Sequence, residues 1–150
     1  MSRVDEIKTR IEDDCPDEVR EQIVRSLVAY NDANASPQDY RDLVVVSRLG
    51  GEVVGGLIGF THWNWLFIKQ LWVSESVRGR GVGTELMQAA EQEAVARACL
   101  HAHLDTFGFQ ALPFYQGLGY SVFGQLEDYP VGHTRYFLQK RELDEEEIGS

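Results

Sequence analysis

From Leu71 to Leu86 the chain reads Leu-Trp-Val-Ser-Glu-Ser-Val-Arg-Gly-Arg-Gly-Val-Gly-Thr-Glu-Leu. Gly79, Gly81 and Gly83 alternate with other residues where an apolar run gives way to a helix-forming one. Glycine tolerates positive φ and lets a ligand reach the backbone with no Cβ in the way. The free N–H groups and macrodipole of a helix start attract anions, and Arg78 and Arg80 add fixed positive charge. This pattern predicts a phosphate or pyrophosphate cradle; a plain glycine-rich turn is the alternative. Two familiar phosphate motifs do not fit. A Walker loop needs a lysine that is absent here, and the spacing Gly-x-Gly-x-Gly fails the dinucleotide pattern Gly-x-Gly-x-x-Gly. What remains is Arg-x-x-Gly-x-Gly at Arg78, Gly81 and Gly83.

His101, His103 and Asp105 form a second set, sharing one face of a strand by alternation. They suit a proton relay, a hydrogen-bonded polar cluster or one edge of a sheet. Such a trio is a weak metal signal, and no metal is expected. Cys15 and Cys99 lack metal-ligand spacing and read as two free thiols in a reducing compartment.

The elements that position these residues are predicted as follows. Val4, Ile7 and Ile11 lie among charges at a spacing that fits a frayed helix or an edge strand, and a strand over 5–12 is the favoured reading. Asp13-Asp14-Cys15-Pro16 then breaks the chain and caps a helix over 16–33, with an apolar stripe at Val19, Ile23, Val24, Leu27 and Val28. The polar stretch from Asn31 to Tyr40, which contains Pro37, is a loop or a short second helix. Strands over 43–48 and 53–62 flank the hairpin signal Gly50-Gly51, and Gly55, Gly56 and Gly59 point to a bulge or close approach in the second of them. A third strand covers 65–73. A helix over 82–100, a strand over 101–107, a short helix over 110–118 and strands over 120–126 and 134–140 complete the order. The fold class is α/β (α+β): a mixed, mostly antiparallel sheet of six to seven strands, with a right-handed crossover between the strands at 65–73 and 101–107 and helices on both faces.

At 150 residues one domain is expected, with an acidic, flexible tail from about 141. A hydrophobic fraction of 43% suits a soluble protein with a core of normal size. No apolar run is long enough to span a bilayer, and the N-terminus has no secretory h-region. A cytoplasmic location without membrane association is therefore expected. The formal net charge of -10 argues against nucleic-acid binding. A homodimer could cover edge strands at the chain end.

A second segment gives the glycine turn a context. Ala111-Leu112-Pro113-Phe114-Tyr115-Gln116-Gly117-Leu118-Gly119-Tyr120 follows it by about 30 residues and one strand. The two segments together, in this order, resemble the GNAT superfamily of acyl-CoA-dependent N-acetyltransferases. The resemblance implies a three-layer fold in which two parallel strands splay into a V-shaped slot. Acetyl-CoA would be the co-substrate. Its pantetheine arm would bond to the backbone of Leu71, Trp72 and Val73, one N–H near Leu71 or Trp72 polarising the thioester carbonyl. Its pyrophosphate would sit on Arg78, Gly79, Arg80, Gly81, Val82, Gly83 and Thr84. Tyr115 matches the family tyrosine near the sulfur, where its phenol could protonate the leaving thiolate.

Many family members place Asn three residues before the alanine that is Ala111 here; this chain has Gly108, and Gln110 could substitute. The general base is open among Asp105, His103, His133, Glu75 and His62, or water shuttled to bulk. His133, in the turn Glu127–His133 on the family's acceptor side, is the first choice for a substrate contact. Acceptor specificity should come from that turn, the loop 31–40 and the hairpin end 62–65, where Trp63 and Trp65 could form a wall for a cationic amine or cap the core. The acceptor would be a small-molecule or peptide amine. The function expected is direct transfer of an acetyl group from acetyl-CoA to a primary amine; a CoA-binding sensor or assembly module without transferase activity is the alternative.

Overall fold

A computed structural model describes residues 5–144 of the chain. It divides into two compact units, one up to Pro37 and one from Gln38 onward. Among the described residues the first unit's α-helix is α1 (Asp17–Asn34). Pro16 occupies its N-cap and no side chain bonds to the helix start, so the expected aspartate cap is absent. The predicted N-terminal strand is also absent: residues 6–12 adopt no regular structure. Ile7 and Ile11 stand about nine-tenths exposed. Two apolar residues four apart would share one face of a strand, but both are solvent-exposed, so no burial of that face sustains a strand here; Val4 lies outside the described residues.

The second unit is built on a six-stranded mixed sheet: β1 (Arg41–Leu49), β2 (Glu52–His62), β3 (Trp65–Val73), β4 (His101–Phe107), β5 (Ser121–Glu127) and β6 (Thr134–Arg141). Their spatial order is β1-β2-β3-β4-β6-β5, and only β3 and β4 run parallel. The crossover between them carries a 3-10 turn (Glu75–Val77) and α2 (Val82–Ala96); α3 (Leu112–Gly117) joins β4 to β5. Helix α2 ends four residues before the predicted Leu100. Ala98 turns left-handed at φ 67°, and the Cys99 N–H returns to the Ala94 carbonyl at 2.8 Å. This closes the last turn in the manner of a Schellman end.

One apolar face of the sheet packs on α2. Leu57, Leu66, Leu104 and Leu138 meet Leu86, Met87, Ala90 and Ala94 in a single buried cluster. The alanines let helix and sheet approach closely. Gly55 serves the same end, since a Cβ there would stand 3.0 Å from Cγ1 of Val82 at the helix start. Leu143 is buried in the same cluster and donates its N–H to the Leu100 carbonyl at 2.8 Å, so the chain is anchored past the predicted start of the tail. No described helix is long and apolar enough to cross a membrane.

Candidate active site

The site begins with a fault in the sheet. Opposite β2, Gly59 pairs with Ile68 but the preceding Ile58 pairs with Gln70, so Lys69 is an extra residue in β3. A bulge bends its strand. Gly59 is required there because a Cβ would overlap the Phe67 carbonyl. The parallel ladder with β4 stops at the same place: it runs from Trp65↔His101 to Ile68↔Leu104 and no further. Beyond it β3 and β4 diverge, and the peptide groups of β3 on that side have no strand partner. A slot of about 1020 Å³ opens between the two strands.

One end of the slot is the glycine turn. Arg78, Gly79, Gly81, Val82, Gly83 and Thr84 all line it. Gly79 and Gly81 are left-handed, with φ near 80°, and a Cβ on either would meet nothing within 4 Å. The glycine requirement there is conformational. At Gly83 it is steric, because a Cβ would press to 3.2 Å against Cζ of Phe114. No side chain caps α2, so its first-turn N–H groups remain available to an anion. Arg78 also lies 3.7 Å from Glu75 across an exposed pair. Arg80 is exposed and is not part of the slot wall.

The walls are β3 and β4. Leu71 and Val73 line the slot, whereas Trp72 points away and is about half exposed. Leu104, Asp105, Thr106 and Phe107 form the facing wall. Tyr115, mounted on α3, is buried among the core residues and lines the slot. Burial pushes its phenol up to about 12, and the negative charge of Asp105 adds to the effect. Tyr115 thus keeps its proton at any ordinary pH, and it shares the slot with Asp105.

Arg135 of β6 was not apparent from sequence. Its Nε and Nη2 donate to one oxygen of Asp105, Oδ1, at 3.0 and 2.7 Å. The guanidinium also lies 4.7 Å from the ring centre of Tyr129 and 5.3 Å from those of Phe107 and Phe137. Cation–π attraction and the ion pair hold it at the slot mouth. Phe107↔Arg135 and Asp105↔Phe137 are the cross-strand partners, so the pair is a diagonal one. A signal existed, since an acid on a central strand needs a cation from a neighbour, but the register was needed to identify it.

The other titratable candidates are scattered. His133 sits in the exposed β5–β6 turn, its ring edge-on to Phe109 at 5.0 Å, outside the slot wall. His103 stacks on Phe67 at 4.6 Å and meets Trp65 edge-on at 5.6 Å. Burial and nearby His62 hold its pKa below the usual imidazole value, against the pull of Asp105. His62 packs against Phe60 and Trp63, and Phe60 meets Phe67 at 5.4 Å, so His62 belongs to the same run of rings as His103. Trp65 packs on His101 at 4.8 Å and carries Arg141 over its ring. Among the described residues no group of His, Cys, Asp and Glu is placed to hold a metal ion. Cys99 is buried and its thiol pushed up by that burial.

Residues 6–120 match the model of the acetyltransferase (GNAT) family. The chain is 37% identical over 130 residues to an acetyltransferase of Agrobacterium fabrum, covering 85% of this chain and 95% of that protein. It is 41% identical over 91 residues to a blasticidin-S acetyltransferase of Streptomyces morookaense, covering 60% of this chain and 67% of that one. A crystal structure assigned as an acetyltransferase from Agrobacterium tumefaciens superposes with a TM-score of 0.83 at 35% identity, covering 90% of this chain and 99% of that one. The splayed parallel pair, the uncapped glycine turn and the sequence matches agree: the chain belongs to the GNAT acetyltransferase family.

Proposed function

We propose that the protein transfers an acetyl group from acetyl-CoA directly to a primary amine on a small molecule. The observation that carries this reading is the continuity of the slot. One opening runs from the glycine turn, along the unpaired edge of β3, to Tyr115 and Asp105. A pyrophosphate-bearing thioester needs those three things in that order: an anion cradle, peptide groups for its amides and a proton donor at the sulfur. The residues present fit such a molecule.

Acetyl-CoA supplies the activated acetyl group. Arg78 and the α2 start hold the anionic end. The backbone of Leu71 to Val73 takes the extended arm as a strand would be taken, and an N–H of Leu71 or Trp72 stabilises charge developing on the carbonyl oxygen. Tyr115 keeps its proton until the thiolate leaves, then donates it. Asp105 faces the acceptor's ammonium from the other side. His103, held toward its neutral form, can accept the proton the amine must lose, and His133 contacts the acceptor at the rim. The relative that acts on blasticidin S supports a small-molecule acceptor over a protein terminus.

The test is a panel of primary amines incubated with acetyl-CoA, with release of free thiol followed and the products identified by mass spectrometry. Acetylated amine in step with thiol is expected. Thermal stabilisation by CoA with no product from any amine would favour a CoA-binding module instead.

A further inference from the structure

The charges at the acceptor end of the slot differ from those of the chain as a whole. The protein carries a formal net charge of -10, which by itself would draw polycations. Four charged side chains line the slot: Lys69, Arg78, Asp105 and Arg135. Arg78 belongs to the phosphate end. The other three sum to one net positive charge around the place where an amine must enter.

Their arrangement is directional. Both donors of Arg135 end on Oδ1 of Asp105, which leaves Oδ2 to receive an ammonium. The guanidinium cannot swing away easily, because it is stacked over Tyr129, Phe107 and Phe137 as well as paired. Arg135 and Asp105 are both about three-quarters buried, with side-chain exposures of 24% and 23%. An acceptor ammonium on Asp105 therefore has a fixed, poorly screened cation one residue away. A second ammonium on the same acceptor would be repelled by it. A carboxylate on the acceptor would be attracted to it, and to Lys69 on the facing wall.

We propose that the Asp105–Arg135 pair is a specificity device, selecting zwitterionic acceptors, amines whose body also bears a carboxylate, over diamines and polyamines. Arg135 acts as a positioning and selecting residue; it takes no part in proton transfer. This inference rests on the reading of the slot as an acetyl-CoA site.

A matched series tests it: 5-aminopentanoate, pentylamine and 1,5-diaminopentane, equal in chain length and differing in one terminal group. Each is varied from about 10 μM to about 10 mM, across the range of ordinary Michaelis constants, with saturating acetyl-CoA, and kcat/KM and KM are read from initial rates of thiol release. The expected order is aminopentanoate, then pentylamine, then the diamine, with at least about a tenfold span from first to last. Arg135→Gln should collapse that span to within about twofold, mainly through KM, and Arg135→Lys, which keeps the charge but loses the stacked two-donor fork, should restore part of it. Preference for the diamine, or an unchanged span in a folded Arg135→Gln protein, overturns the inference. So does turnover of none of the three when acetyl-CoA still raises the melting temperature. If acetyl-CoA fails to raise it, the reading of the slot itself falls. The wild-type order alone decides the matter if the glutamine variant does not fold.

Discussion

Gln110 fixes its side-chain oxygen against Thr106. The buried Thr106 hydroxyl donates to Oε1 at 2.9 Å, and the Phe107 N–H donates to the same oxygen at 3.0 Å. With both acceptor sites of that oxygen used, the amide's remaining capacity is its two N–H donors, on a residue that lines the slot. Gln110 is thus equipped to supply the contact that an asparagine at position 108 supplies in many family members. Gln110→Ala should raise the KM for acetyl-CoA about five- to tenfold, the worth of one hydrogen bond, and leave kcat within about twofold. Initial rates against acetyl-CoA concentration check this; an unchanged KM would remove Gln110 from the binding surface.

Tyr115 is held protonated by burial and by Asp105, with its pKa at about 12. Tyr115→Phe should lower kcat about a hundredfold, a usual contribution for a positioned acid, with little change in KM. The wild-type kcat profile should show no descending limb assignable to Tyr115 between about pH 7 and pH 10, below the ordinary tyrosine range. A limb in that interval that disappears in the phenylalanine variant would contradict the role.

Glu91 on α2 accepts from Lys140 Nζ through Oε1 at 2.9 Å and from the Tyr120 hydroxyl through Oε2 at 2.8 Å. Lys140 is buried and Glu91 nearly so, with side-chain exposures of 8% and 13%. Tyr120 in turn donates its N–H to the Tyr115 carbonyl, so this cluster secures the end of the helix that carries Tyr115. Removing one partner of a buried pair is costly. Glu91→Ala should destabilise the fold by roughly 3 kcal/mol, read as a shift of the urea midpoint at constant slope. A loss under about 1 kcal/mol would place the pair with ordinary surface bridges.

Much of this architecture was legible in the sequence. The bounds of β3 and β4, the start of α2 at Val82 and the hairpin at Gly50-Gly51 follow from apolar alternation and from glycine placement. The close approach expected from Gly59 is the bulge that opens the slot. Three things were not legible. The irregular 6–12 segment has apolar residues at a spacing that suits a helix or a strand alike, and only their exposure shows that neither face is buried. The end of α2 depends on Ala98 turning left-handed, which alanine does not announce. Arg135 is paired across strands, and only the β4–β6 register reveals it.

His103 gives stability a sign that can be checked against pH. Its folded pKa lies below the unfolded value, chiefly through burial. As pH falls through about 6.5 the unfolded chain takes up a proton that the folded chain does not. Stability should therefore fall below that pH until the lowered folded value is reached. His103→Gln should flatten this part of the Tm-against-pH curve relative to wild type. Parallel curves for the two proteins between pH 7 and pH 5 would show that His103 is not held neutral.

The central claim is that the slot between β3 and β4 binds acetyl-CoA through its glycine turn, and thermal denaturation with and without the ligand tests it most directly. At a concentration about 100 times Kd, binding to the folded state alone should add about 2.7 kcal/mol. That corresponds to a Tm rise of about 5–10 °C for a chain of this size. Arg78→Glu, which reverses a charge at the cradle, should cut the rise by more than half at the same ligand concentration. No rise in the wild-type protein, or an equal rise in Arg78→Glu, would contradict the account.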